Sequence, residues 1–314
     1  MLTVPHILTE VSAIIATKSR PTALQRTFHS LAIQSVQPMA IIVVDASVDS
    51  DTRDICERRT QELGSEVQWI KAQEQGAAAQ RNQGVTLAKQ QMILFFDDDI
   101  IFEPNCIALL WQALHAETRL GGASATILNQ RYQTPGVPSR LMFTLLNGAR
   151  ENSFAGKVIG PAINLLPEDR DDLPDIVPVE WLNTTCTMYR REALPSPPFD
   201  SFFRGYSLME DLALSIRVAE RGWKLANVRR ARIFHDSQRG EHKSDVAARA
   251  EMELINRHYI MTKVLRKCGY TDYVRLVGWE FFQLAALSSS SSGRKQLLSH
   301  IAGRLRAARK IVSG

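Results

Sequence analysis

The first hundred residues alternate two kinds of segment, and that alternation limits the folds open to the chain. "VSAIIAT" from Val11 is a short, continuously apolar run that turns polar at Lys18, before Pro21. Such runs suit strands covered on both faces. "PTALQRTFHSLAIQ" then sets Leu24, Phe28, Leu31 and Ala32 at helical spacing, with Pro21 tolerated in the first turn. "AIIVVDAS" reads as a second strand ending at Asp45, residues 49 to 63 as a polar-faced helix, and "EVQWIKA" as a third strand. "GAAAQRNQGVTLAKQ" is a loop running into a helix, and "QMILFF" is a fourth strand. This order predicts an α/β fold: a mostly parallel sheet flanked by helices on both faces. Ligands of such sheets bind beyond the carboxyl ends of the strands. Lys18, Asp45 and the run Asp97, Asp98, Asp99 all fall at such ends.

Three adjacent carboxylates are costly, since like charges roughly 5 Å apart repel by about 3 kcal/mol at an effective dielectric of ~20. On extended backbone Asp97 and Asp99 point to one side and Asp98 to the other. Carboxylates so spaced suit Mg²⁺ or Mn²⁺ held together with substrate phosphates, and the cation's charge would remove the repulsion. The same residues also suit an acidic turn capping a helix that starts near Pro104 and Asn105. Arg81 and Asn82 lie near a helix start, where an arginine fork favours anions, although an ordinary helix beginning reads the same way. Glu210 and Asp211 open a helix, where the dipole alone favours carboxylates. If the loop around Gly205 covers a cleft, Asp211 is placed to take a proton from an attacking hydroxyl. His235 follows the strand "ARIF" and is either structural or a third ligand beside two aspartates.

The remainder is less regular. Residues 130–178 are rich in Pro, Gly and Asp and read as a loop-dominated insertion. "VEWLNTTCTMYRREAL" reads as a strand and a helix start, "EDLALSIRVAERGWKL" as a helix, "LANVRRARIFH" as the last strand, and residues 245 to 270 as a long helix. The five serines Ser288–Ser292 read as a flexible linker before a helix bearing Arg304, Arg306, Arg309 and Lys310. Residues 221–314 carry 19 Lys and Arg against 7 Asp and Glu, whereas residues 1–220 carry 19 against 26. An acidic front is suited to a metal, and a basic rear to phosphate, to a membrane surface, or merely to water. The 314 residues, 45% of them hydrophobic, suffice for a full core. No apolar run approaches the ~20 residues of a membrane span. "MLTVPHILTE" lacks the order of a secretory signal, so the protein is expected to start inside the cell. The four cysteines show no CxxC spacing and are expected to be reduced.

"IIVVDAS", "QRNQG", "FFDDDI", "WLNTTCTMYRREAL", "MEDLALSIRVAERGWKL" and "FHD", in this order over residues 11 to about 236, resemble glycosyltransferase family 2, inverting enzymes of the nucleotide-sugar-binding, Rossmann-like GT-A fold. The resemblance implies a catalytic domain over 1–240, with a nucleotide-binding half to about 128 and an acceptor half from about 129. A basic helical extension over 241–314 would follow. It implies that Asp45 bonds the base or ribose, and that Arg81 and Asn82 line the base and diphosphate pocket. Asp97 and Asp98 would belong to the donor site, and Asp99, with Asp97 and His235, to the metal in the family's DxD position. Asp211 would be the catalytic base with Glu210 beside it, and Trp181 would begin the acceptor region. The implied function is transfer of a sugar from a nucleotide-diphosphate sugar, UDP-linked by preference, to a hydroxyl of a glycan or lipid-linked acceptor in cell-envelope glycan biosynthesis. Mg²⁺ or Mn²⁺ would be the cofactor. The location would be cytoplasmic, and no nucleic acid is expected as a partner. By its own residues the basic C-terminal helix suits either peripheral contact with an anionic membrane surface or packing on the catalytic domain or a second subunit. Two departures stand out: "DASVDS" replaces a second acidic residue followed by Gly-Ser, leaving Asp49 uncertain in that part, and Gln80 stands where Ala is common. A nucleotidyltransferase acting on sugar phosphates is the rival enzyme, but "AIIATKSRP" lacks the glycines such an enzyme carries near its first strand. A sugar-nucleotide-binding protein without turnover is the rival outside catalysis.

Overall fold

The structure, a computed structural model, describes residues 7–59, 62–237 and 245–313. The stretch read for a leader, the end of the second helix and the expected boundary at 240 lie wholly or partly outside these residues. The chain divides into two compact units, one of residues 1–131 with 166–238 and one of 132–165 with 239–314.

The first unit holds the sheet. β1 (Ile7–Thr17), β2 (Val36–Asp45), β3 (Glu66–Lys71) and β4 (Met92–Phe96) pair in parallel in the order β3-β2-β1-β4. They alternate with α1 (Pro21–Ala32), α2 (Asp51–Arg59) and α3 (Ala77–Leu87). The four predicted strands and three helices are thus where the apolar runs and the helical spacing put them. α1 begins on Pro21 and buries Leu24, Phe28 and Leu31 against the sheet. The sheet continues through β5 (Ile100–Phe102), β6 (Leu120–Ile127), β9 (Ile176–Val179), β10 (Cys186–Arg190) and β11 (Lys224–His235), while α4 (Cys106–Ala116) covers a face. β10 lies antiparallel between β4 and β6, and β11 pairs in parallel with β6 and antiparallel with β5 and β9. α6 (Glu210–Glu220) precedes β11 and buries Leu212, Leu214 and Ile216. All four cysteines are free thiols.

The second unit is mainly helical. Residues 132–165, read as loop, contain α5 (Val137–Asn147) and a small hairpin of β7 (Val158–Ile159) and β8 (Ile163–Asn164). Their Pro and Gly content marks the ends of α5, where Pro138 sits in the first turn and Gly148 closes the helix in the left-handed region. These residues group with the C-terminal helices rather than with the sheet. α7 (Val246–Tyr259) ends in a π-helical segment, Ile260–Val264, and is followed by α8 (Tyr270–Ser288) and α9 (Ser291–Ser313). α8 went unread in the sequence. The five serines are not a linker: Ser288 closes α8, Ser291 opens α9, and the Ser290 hydroxyl accepts the Gly293 N–H at 3.0 Å. Serine favours such turns because its hydroxyl substitutes for missing backbone partners.

The basic face expected on α9 is largely engaged within this unit. Arg304 is buried and donates to Glu280 at 2.5 Å, while Arg306 and Lys310 each reach Glu251 at 2.7 Å. Gly303 lets α9 lie directly on α7, since a Cβ there would drive into the Ala247 carbonyl. No described helix is long and apolar enough to cross a membrane.

Candidate active site

The site gathers where β1, β2, β4 and β11 end, all in the first unit. β4 delivers Asp97, Asp98 and Asp99. The antiparallel pairing of β11 with β5 sets His235 opposite Ile100, and the Asp236 N–H donates to the Asp99 carbonyl at 2.8 Å. Two stretches far apart in sequence are thereby fixed side by side. His235 Nε2 lies 3.1 Å from Asp99 Oδ1, and Gln130 Nε2 lies 2.8 Å from His235 Nδ1. One ligand atom each from Asp97, Asp99 and His235 lies within 4.8 Å of the others. Two carboxylates and an imidazole form a donor set that fits Mn²⁺ or Mg²⁺ with room for substrate oxygens.

Asp98 and Asp99 lie in a turn after β4, where strand alternation no longer holds, and Asp98 is buried. Its Oδ2 accepts from the Thr17 hydroxyl at 2.5 Å and its Oδ1 from Arg20 Nη1 at 3.2 Å. Burial pushes its carboxyl up to about 6, against the opposing pull of Arg20 and Thr17. Asp98 therefore anchors the motif to β1, where the sequence suggested a donor contact. Arg20 Nη1 also reaches Asp99 Oδ2 at 3.2 Å, so one cation bridges two of the three aspartates. Sequence reasoning missed Arg20. The strand-end rule singled out Lys18, which is exposed, whereas the cation two residues further on faces the carboxylates.

Three consecutive residues of α3 make three different kinds of tie. The Gln80 amide donates to the backbone carbonyls of Thr17 at 2.9 Å and Val44 at 2.7 Å, and its oxygen accepts the Gly76 N–H at 3.1 Å. The residue that departs from the usual Ala is thus a cross-tie between the ends of β1 and β2. Arg81 is buried and forks, with Nη1 to Glu210 Oε1 and Nη2 to Asp97 Oδ1, both at 2.7 Å. Burial works against its charge, but Asp97 and Glu210 more than offset this and hold its pKa up. Asn82, expected in the donor pocket, instead pairs both ends of its amide with the Phe199 backbone, at 2.7 and 2.9 Å.

Asn82 thereby fastens the loop that leads into α6. The same loop meets the start of α3 again, where Ala77 N–H donates to Gly205 O and Ala78 N–H to Ser207 Oγ. Ser207 and Met209 sit at φ 54° and 71°, a left-handed backbone that is costly for residues with a Cβ. The strained turn presents Glu210 and Asp211 on the first turn of α6. Desolvation raises both carboxyls. Asp211 adds to the rise at Glu210, whereas Arg81 opposes it at both. A half-buried carboxylate with an elevated pKa suits a proton acceptor working near neutrality.

Asp45 is buried at the end of β2 and is held from both sides, by the Ser47 N–H and hydroxyl on Oδ1 and by Trp69 Nε1 at 3.0 Å on Oδ2. Trp181 is buried, and the next residue, Leu182, is tied to α6 through Ser215 at 2.9 Å. Asp49 accepts the Asp51 N–H at the start of α2.

Residues 12–194 match the model of glycosyl transferase family 2, which spans more than half of the chain. The chain belongs to this family. Among solved structures, the enzyme is similar to the mannosyltransferase PcManGT from Pyrobaculum calidifontis, in complex with GDP-Man and Mn²⁺. The TM-score is 0.59 at 14% identity, over 95% of this chain and 87% of that one. It is also similar to GalNAc-T7 with UDP, GalNAc and Mn²⁺, with a TM-score of 0.53 at 16% identity over 72% of this chain and 43% of that one. A third is glucosyl-3-phosphoglycerate synthase from Mycobacterium tuberculosis in complex with phosphoglyceric acid, with a TM-score of 0.50 at 15% identity over 79% of each chain. At these identities the likeness is one of fold, the GT-A arrangement of a mostly parallel sheet flanked by helices. No curated protein matches the sequence. The enzyme is a glycosyltransferase.

Proposed function

We propose that the enzyme transfers a sugar, with inversion, from a nucleotide-diphosphate sugar to a hydroxyl of a glycan or lipid-linked acceptor, with UDP-sugars as the preferred donors. The observation that carries this reading is the joining of the Asp97, Asp99 and His235 group to Glu210, the neighbour of Asp211, through one residue, Arg81, which touches Asp97 and Glu210 at once. In this reading Asp211 takes the proton of the acceptor hydroxyl. The oxygen then forms a bond to the anomeric carbon on the face opposite the diphosphate, and the bond from that carbon to the diphosphate oxygen breaks. A divalent cation held by Asp97, Asp99 and His235 would supply positive charge to the leaving diphosphate. Arg81 holds Glu210 and Asp97 in register so that base and donor site keep a fixed separation. In this reading Asp45, whose two oxygens accept from Ser47 and Trp69, belongs to the nucleoside side of the donor site, and Trp181 to the acceptor side.

The test is incubation with UDP-, GDP- and dTDP-sugars and Mn²⁺ without acceptor. Slow release of free UDP from one of the UDP-sugars supports the reading. Release of pyrophosphate from a nucleoside triphosphate and a sugar phosphate would point instead to nucleotidyl transfer.

A further inference from the structure

β6 runs out at Ile127 beside Ile233 of β11, and the chain then turns across the end of that strand. The Leu128 N–H donates to the Ile233 carbonyl at 2.9 Å, and the Gln130 N–H to the Ile127 carbonyl at 3.1 Å. This turn brings two amide side chains in a row to His235. Asn129 holds the main chain, its Nδ2 donating to the His235 carbonyl at 2.8 Å and its Oδ1 accepting the His235 N–H at 3.0 Å. Gln130 holds the ring, with Nε2 at 2.8 Å from Nδ1. On the other side of the ring, Nε2 lies 3.1 Å from Asp99 Oδ1. The imidazole is thus held at both nitrogens, by groups that follow two different strands.

These contacts select a tautomer. A carboxylate oxygen only accepts, so the ring proton facing Asp99 is on Nε2. An amide nitrogen only donates, so Nδ1 is the acceptor and the ring is neutral. A cation needs the opposite arrangement, with the lone pair of Nε2 turned to the metal and the proton on Nδ1. To reach it, Nε2 gives a proton to water and Nδ1 takes one from water, with no net uptake or release. Half a turn of the Gln130 amide follows this exchange, because it puts the accepting oxygen where the donating nitrogen was. Gln130 is exposed, which leaves its amide room to turn. An ionised Glu at this position would serve only the metal-binding tautomer, and Leu would serve neither. We propose that Gln130 is a positioning residue for the metal, turning its amide over as His235 changes tautomer, while Asn129 keeps the main chain of His235 in place. The proposal rests on the metal role of Asp97, Asp99 and His235. A metal-bound imidazole is the more polarised donor, so the bond to Gln130 is stronger with the metal than without it.

The experiment is titration of the full chain with Mn²⁺ alone, by calorimetry, well above the pH range in which histidine titrates. Gln130→Leu is expected to lower Mn²⁺ affinity about tenfold with thermal unfolding unchanged, and Gln130→Glu to bind at least as tightly as the unmodified chain. ¹⁵N spectra of the His235 ring, assigned by its loss in His235→Ala, read the tautomer, which a merely structural role would not move. In the unmodified chain the proton is expected on Nε2 without metal and on Nδ1 with saturating Mg²⁺. Equal Mn²⁺ affinity in Gln130→Leu and the unmodified chain would overturn the proposal. So would Gln130→Glu binding no tighter than Gln130→Leu, or one tautomer with and without Mg²⁺. Asp99→Ala keeps the two readings apart. Loss of Mn²⁺ binding in that variant, with no effect of Gln130→Leu, sinks the role of Gln130 alone. No Mn²⁺ binding by the unmodified chain, or full binding by Asp99→Ala, sinks the metal reading with it.

Discussion

Asp211 and Glu210 are neighbours in sequence with different surroundings. Glu210 is clamped by Arg81 and Asp211 is not bonded to it, so the proton of an acceptor has one carboxylate to go to. Asp211→Asn is expected to lower kcat by about 10²–10⁴-fold while calorimetric nucleotide affinity stays near that of the unmodified enzyme. Wild-type turnover in this variant would remove Asp211 from the role of base. Its pKa is raised by desolvation, and a base must be ionised to act, so activity is lost as pH falls. The acidic limb of kcat/KM should therefore lie above the ordinary aspartate value of about 3.9 and belong to the Glu210–Asp211 pair jointly. Asp99 contacts both His235 and Arg20. Asp99→Ala should abolish the Mn²⁺-dependent part of nucleotide binding, and calorimetry that gives one affinity with and without EDTA would refute the metal role.

At the scale of elements, α3 is a switchboard between strands, carboxylates and loop. Gln80→Leu should cost about 3 kcal/mol, because the Thr17 and Val44 carbonyls and the Gly76 N–H would stay buried without that partner. Urea unfolding would measure it, and a loss under about 0.5 kcal/mol would show that the tie is idle. The strands and helices of residues 11–96 were legible because apolar runs and helical spacing are local signals. The joining of Asp99 to His235 was legible only as an expectation, since it rests on the register of β5 against β11. Arg20 and the Phe199 tie of Asn82 were not legible, as both depend on which way a side chain turns after a strand or helix end. α8 escaped because its exposed row of Val277 and Phe281 blurs the contrast between a buried and a solvated face. The serine run misled because composition cannot tell a linker from a tight helix-to-helix turn.

For the molecule as a whole, a donor nucleotide bound at several strand ends should act as a brace on the sheet unit. UDP with Mn²⁺ at about 100 times its Kd should add about 2.7 kcal/mol to the apparent stability, read as a rise in Tm that EDTA abolishes. UDP that gives the same rise with EDTA present would show that nucleotide binding does not need the ion. The placement of β10 has a further consequence, for synthesis on the ribosome. β4 finds its second neighbour only in residues 186–190, about ninety positions downstream, and β6 reaches β4 only by way of β10. A nascent chain that has produced β1 to β4 therefore carries an apolar strand with one open hydrogen-bonding edge until that later segment emerges. Early stalling or truncation would leave a sticky half-sheet and not a smaller enzyme, and the last piece to close it is the strand that follows Thr185, whose carbonyl receives the Asp97 N–H.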